Sequence, residues 1–198
     1  MNEFIPDNRC AWALQGNEAY VAYHDKVWGV PVHDDSRHFA MLSLEGAQAG
    51  LSWQTILNKA SGYEACFDGF DVEKVAEFSE KKIEELCLDR RIVRNQLKIR
   101  SVVNNARCFL GIQNDFGTFD AYIWSFVDYK PLLNQWQRDS EVPATTLLAQ
   151  HISGQLKKRG FKFVGPTIIY AYMQAIGLVN DHLTGCFRHA EIKNGLSG

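Results

Sequence analysis

The chain lacks any run approaching the roughly 18–20 consecutive apolar residues of a membrane span, so a transmembrane protein is not expected. Its opening stretch, from Met1 to Arg9, has no apolar signal core, and the expected location is cytoplasmic. The five cysteines (Cys10, Cys66, Cys87, Cys108, Cys186) are an odd count without tight spacing. Of these, Cys66, Cys87 and Cys108 fall inside helical patterns and read as reduced core residues. A basic excess is missing too. With a formal net charge of −2, any contact with nucleic acid must rest on local patches. No stretch shows convincing strand alternation, internal repetition or low complexity, which leaves an all-α fold. What is present is ordinary for a globular protein: 22% charged and 46% hydrophobic residues over 198 positions, enough for a sizeable core in one domain or two small lobes.

Cys10 to Pro31 is dense in aromatic residues, with Trp12, Tyr20, Tyr23 and Trp28 around His24. Such density reads either as core packing or as the lining of a pocket for a flat ligand. Asp34 to Ser36 offer caps for a helix running to Gly50, and Ser52 caps a helix through Phe67. Asp71 and Ser79 are further caps. A long helix is expected from about Arg91 to Ile112, with Ile99, Val103, Ala106 and Leu110 on its apolar stripe and its many basic residues on a solvated face. Thr118 caps a short helix, residues 131–143 read as a loop with Trp136 as an isolated anchor, and Thr145 or Thr146 caps a helix to Lys158.

The segment from Leu42 to Trp53 carries one glutamate among small and apolar residues. At helical period Glu45 shares a stripe with Met41, Leu42, Gln48 and Ala49. A carboxylate on a core-facing stripe is costly unless something polar meets it. Either an arginine or backbone amide pairs with Glu45, or it sits in an aromatic-walled pocket and hydrogen-bonds a ligand. Gly50 reads as the helix stop, leaving Gly50 and Leu51 at an exposed corner.

Near the other end, residues 156–167 join two helical patterns through a short connection. Gly160 fits the position just past the first helix, and Gly165 with Pro166 fits the start of the second, which runs to Ile176. Free N–H groups at such a helix start suit a phosphate, and Lys157, Lys158, Arg159 and Lys162 add positive charge. The segment is either a plain corner with a solvated tip or a hairpin that grips one DNA strand without reading sequence. His182 and Cys186, four apart, place two metal-binding side chains on one face of a helical turn, with Cys10 and His24 as the plausible second pair. These four are either unrelated or a closed Cys2His2 set, whose metal would be structural zinc. The remaining histidines, His33, His38, His151 and His189, read as surface or capping residues.

Four stretches, YHDKVWGVP (23–31), LEGAQAGLSW (44–53), KKRGFKFVGPT (157–167) and GLVNDHLTGC (177–186), resemble in the same order the motifs of bacterial 3-methyladenine DNA glycosylase I. The resemblance spans about Cys10 to Cys186. It implies a two-lobed helix-hairpin-helix glycosylase fold in a single domain over 1–198. The hairpin element falls at about 146–177, and zinc at Cys10, His24, His182 and Cys186 joins the two ends. It further implies that the glutamate at Glu45 contacts the excised base, and that Tyr23 and Trp53 flank that base with Trp12, Tyr20 and Trp28 nearby. Gly50 and Leu51 are the candidates for filling the gap left in the duplex. Lys158, Gly160, Lys162, Gly165 and Thr167 are the expected hairpin contacts to DNA.

The chemistry expected from these residues is flipping of the damaged nucleotide and attack of water at C1′, with neither a lysine Schiff base nor a catalytic metal. The expected partner is double-stranded DNA carrying alkylated adenine, with no membrane, no protein partner and a monomeric chain. Asp181 follows the second hairpin helix but adjoins a presumed metal ligand, and it stays outside the catalytic set. The competing readings are a module that holds alkylated DNA without cutting it, a metallohydrolase with an open site at His24, His182, Cys186 and Glu45, and a glycosylase for another alkylated purine.

Overall fold

The computed structural model describes residues 8–195. The stretch 1–7, most of the segment read as lacking a signal core, and residues 196–198 lie outside the described residues. Eleven α-helices appear among the described residues: α1 (Glu18–Lys26), α2 (Asp35–Gln48), α3 (Trp53–Leu57), α4 (Ala60–Cys66), α5 (Val72–Ala76), α6 (Glu80–Leu88), α7 (Gln96–Phe116), α8 (Phe119–Trp124), α9 (Leu147–Lys158), α10 (Pro166–Ala175) and α11 (Phe187–Gly195). The all-α expectation holds with one addition. A two-residue strand β1 (Leu132–Leu133) pairs in parallel with β2 (Val179–Asn180). Two residues per strand leave no room for an alternating pattern, so the sequence carried no sign of it.

Helix starts follow from local chemistry. Asn17, Asp34, Ser52, Asp71, Ser79, Asn95, Thr118 and Thr146 each accept, through the side chain, the backbone N–H three residues on. Each such cap satisfies a donor that a helix otherwise leaves open, worth about 1 kcal/mol. The single helix expected from Ser52 to Phe67 is two: α3 stops at Leu57, and α4 starts after Lys59 without a side-chain cap. The long helix starts later and ends later than expected, set by Asn95 and by Gly117 at φ 85°.

At the centre lies α2, which packs against α3, α4, α7, α8 and α10. Phe39 on α2 meets Phe109 on α7 at 5.5 Å, and Phe109 stacks on Phe119 at 4.1 Å. All three are fully buried, and truncating such a phenylalanine costs about 3–5 kcal/mol. Asp35, in the first turn of α2, accepts from the N–H groups of Phe119 and Asp120 and so caps α8 from a distance of 84 residues in sequence. His38 corrects its surface reading. It is wholly buried, bonded to the Tyr172 hydroxyl (2.8 Å) and to Asp120 (3.1 Å). His189 is also buried, against the Asn134 carbonyl, while His33 and His151 are exposed as expected. Of the three helical cysteines only Cys66 is fully in the core; Cys87 and Cys108 are half-buried.

Gly177 ties the C-terminal segment to the N-terminal one. Its φ is +71°, and an added Cβ would lie 2.5 Å from Pro31 N and Val30 C, so only glycine fits. The β1–β2 pair then holds the 131–143 loop beside residues 178–186. Three remote pieces of chain thus meet over α2.

Candidate active site and metal centre

The meeting encloses a cavity of about 470 Å³, lined by Trp12, Tyr20, Tyr23, Trp28, Glu45 and Trp53 together with Gln48, Gln174, Asp139, Val142 and Asp181. Every expected base-pocket residue is on its wall. Glu45 lies at its floor, 3% exposed, held inward by the apolar stripe of α2. Its Oε2 is buried and has no hydrogen-bond partner. Neither of the two partners considered for it in sequence, an arginine or a backbone amide, meets that oxygen. Burial pushes the Glu45 carboxyl up to about 8. Burial, and then the Glu45 charge, also hold the Tyr23 hydroxyl well above its ordinary range, so Tyr23 keeps its proton. The Trp53 Nε1–H is a second buried group without a partner.

The Tyr23 and Trp53 rings differ in one respect from the expectation that they flank a base. Their centroids are 5.3 Å apart and the planes are tilted by 50°. A flat base between parallel rings needs roughly 7 Å, twice the usual contact distance. A ligand therefore meets this pair as two walls of a corner, with Glu45 below.

Asp181 also lines the cavity and is 2% exposed. Its Oδ1 accepts from Asn134 Nδ2 (2.6 Å) and Trp136 Nε1 (2.9 Å), and its Oδ2 from the Tyr170 hydroxyl (2.5 Å) and Gln174 Nε2 (2.8 Å). Trp136 is thus not an isolated anchor but a ligand of this carboxylate. Asp139, Gln48 and Gln174 were not singled out in the sequence. Only Gln48 gave a signal, one helical turn from Glu45.

The four metal-binding candidates come together. The ligand atoms of Cys10, His24, His182 and Cys186 all lie within 4.8 Å of one another, and all four residues are buried. Cys186 Sγ is 3.5 Å from His24 Nε2 and 3.6 Å from His182 Nδ1, and Cys10 Sγ is 3.8 Å from His182 Nδ1. The stretch from His182 to Cys186 is an irregular turn rather than the helical one expected. Its Cys186 N–H bonds the Leu183 carbonyl, which brings the pair together. Neighbours orient both imidazoles. His24 Nδ1 bonds the Asp25 carboxylate (2.8 Å) and His182 Nε2 bonds the Trp28 carbonyl (3.0 Å). Both neighbours only accept, so the protons sit on those nitrogens and the other two turn their lone pairs inward. Burial opposes the charge of Asp25, but hydrogen bonds from Arg9 and His24 hold its carboxyl low. The hydrogen bond from Cys10 outweighs burial and, with both imidazoles, holds the Cys186 thiol far below its usual range, giving it the thiolate character a metal ligand needs. This is a buried Cys/His cluster able to hold a metal ion. Trp28 is shared: its ring lines the cavity while its carbonyl fixes a cluster histidine.

The DNA-contact candidates lie on the surface. Gly50 has φ +76° with open space around it, and Leu51 is 40% exposed. Gly160 has φ +93°, Gly165 caps α10 and Pro166 is its first residue. Lys158, Lys162 and Thr167 are exposed. Arg159 is otherwise engaged, 2.7 Å from Asp115 and over the Phe116 ring.

Aromatic walls around one buried carboxyl oxygen left without a partner define a site shaped to take a flat ligand. The chain belongs to the methyladenine glycosylase family, whose model matches residues 12–189. It is 48% identical over 178 residues to DNA-3-methyladenine glycosylase 1 of Escherichia coli (strain K12), covering 90% of this chain and 95% of that enzyme. A crystal structure of 3-methyladenine DNA glycosylase I superposes with a TM-score of 0.88 at 46% identity, covering 90% of this chain and 98% of the other. The Staphylococcus aureus 3-methyladenine DNA glycosylase I, solved to explain 3-methyladenine recognition, also gives 0.88, at 38% identity over 91% of this chain and 95% of that one.

Proposed function

We propose that this chain is a DNA-3-methyladenine glycosylase that flips the damaged nucleotide from alkylated double-stranded DNA and hydrolyses its glycosidic bond. The observation that carries the reading is the buried Glu45 oxygen left without a partner at the floor of an aromatic cavity. Flipping costs a few kcal/mol, less for a damaged pair. Methylation at N3 puts a positive charge on the nucleotide's adenine ring. The faces of Tyr23 and Trp53 attract that cation by roughly 0.5–2 kcal/mol. Glu45 accepts from the exocyclic amino group, and the cation favours its ionised form. Unmodified adenine forfeits both terms. As C1′–N9 breaks, its electron pair neutralises the ring, while the water oxygen bonds C1′ and loses one proton to the surrounding solvent. The charged base leaves easily, so little help is asked of the protein. Asp181, its oxygens already holding four donors, contributes negative charge to the wall rather than taking the proton.

The α9–α10 hairpin serves as a helix-hairpin-helix grip on one strand, through backbone N–H groups at Gly165 and Thr167 and the charges of Lys158 and Lys162. Gly50 and Leu51 fill the vacated place in the duplex. Cys10, His24, His182 and Cys186 would hold one structural zinc. Tetrahedral zinc at ordinary bond lengths has sulfur–nitrogen edges of about 3.6 Å; three of the cluster's four run from 3.5 to 3.8 Å, and all its ligand atoms lie within 4.8 Å of one another. Four protein ligands close the site to substrate. In this reading the chain is a single domain and acts as a monomer. Among the described residues no helix is long and apolar enough to cross a membrane. Acting on chromosomal DNA, the enzyme would work in the bacterial cytoplasm.

The test is incubation with methylated duplex DNA, followed by chromatography of the released bases. Free 3-methyladenine with matching abasic sites supports the reading. Tight binding of the methylated duplex without released base makes the protein a lesion-binding module instead.

A further inference from the structure

Helix α7 meets both surfaces proposed to touch DNA, and it does so through two buried polar side chains that take no part in the cavity. Lys98, 7% exposed, donates from Nζ to the carbonyls of Ala47 (2.7 Å) and Ala49 (2.6 Å). These carbonyls end α2 just before Gly50 and Leu51, where a cation complements the helix dipole. Asn105, 5% exposed, bonds both backbone groups of Lys162 at the hairpin tip. Its Nδ2 donates to the Lys162 carbonyl (2.8 Å), and its Oδ1 accepts the Lys162 N–H (2.8 Å). Asn104 adds a bond from Nδ2 to the Gly160 carbonyl (2.9 Å). The hairpin needs such fastening, because Phe163 is a non-glycine residue at φ 54°. Lys98 and Asn105 are seven residues apart, two turns along one face, a rise of about 10 Å. A basic residue read as part of a solvated face is instead a strut.

We propose that α7 sets the spacing between the duplex-opening corner and the strand-gripping hairpin, with Lys98 and Asn105 as positioning residues for the flipped state. This rests on the glycosylase reading above. Neither side chain contacts the base, so each controls a different stage. Asn105 governs how well the hairpin holds the backbone, and Lys98 governs whether the corner stays inserted once the base has left.

The test measures kcat and KM for base release from a methylated duplex and from the same strand unpaired, plus binding of free 3-methyladenine, for native protein, Asn105→Ala, Lys98→Met and Lys98→Arg. Asn105→Ala is expected to raise KM on both DNAs by on the order of tenfold, the loss of one or two buried hydrogen bonds, with kcat nearly unchanged. Lys98→Met is expected to lower kcat on the duplex by a similar factor, spare the unpaired strand, and be rescued in part by Lys98→Arg. Free-base binding stays native in all three. Loss of base binding and of both kinetic constants in parallel, or unfolding of Lys98→Met and Lys98→Arg alike, would make these residues structural only and overturn the proposal. Native kinetics in every variant would overturn it too. A native protein that releases no base from either DNA condemns the glycosylase reading instead, and the duplex affinity of Asn105→Ala then decides the hairpin claim separately.

Discussion

Glu45 and Asp181 line the same cavity, about equally buried and differently treated. Asp181 accepts four hydrogen bonds from four side chains, whereas Glu45 Oε2 meets none. The Cys/His cluster beside Asp181 follows the first pattern: both imidazoles and their supporting groups are oriented by neighbours. The contrast separates scaffold from binding surface. Where the fold completes its own polar groups, it fixes shape. Where it leaves one buried and unmet, at a cost, a ligand is expected to complete it.

The comparison breaks most sharply at the cluster. Cys186→Ser, or exhaustive chelation, is expected to cost more than about 5 kcal/mol of stability and to collapse the Trp28 wall of the cavity, read by thermal unfolding and by metal content. Next comes pH. Glu45 has a folded-state pKa of about 8 against an ordinary 4.5, so between those values the native state binds a proton that the unfolded state has lost. Stability is expected to fall as pH rises from about 4.5 to 8, by on the order of 5 kcal/mol. Glu45→Gln removes this slope and is the more stable protein above pH 8, as denaturant titrations across that range will register. The same acid-to-amide change at Asp181 has the opposite sign. An amide sets an NH2 group against two of the four donors, so Asp181→Asn is expected to lose about 2–3 kcal/mol at neutral pH. Leu51→Ala marks the small end: stability within about 0.5 kcal/mol of native, with slower base release from duplex than from unpaired DNA.

The parts legible in the sequence were local. Six of the eight capped helix starts, all but those at Asn17 and Asn95, were named from a polar side chain at the start of a helical pattern, and Glu45 announced itself as the one charge on an apolar stripe. The four motif segments are each contiguous, so their resemblance survived without knowledge of the fold. The parts that escaped depend on distant partners. Asp181 gains its meaning from Asn134 and Trp136, some 45 residues away, and those reach it only because β1 pairs with β2. His38 looked like a surface residue until Tyr172 and Asp120 enclosed it. Lys98 looked solvated because its acceptors are backbone carbonyls, which leave no trace in residue type. Even the tilt of Tyr23 against Trp53 is set by how α1 meets α3 rather than by either residue.

The most direct test of the central claim joins activity to stability in one variant. Base release from methylated duplex DNA is measured for native protein and Glu45→Gln at pH 7, with unfolding curves for both. The account predicts that the native protein frees 3-methyladenine, while Glu45→Gln is at least as stable and loses most of that release. Native-like release by Glu45→Gln, or a variant that fails only because it unfolds, would contradict the claim that the unmet carboxyl waits for the damaged base.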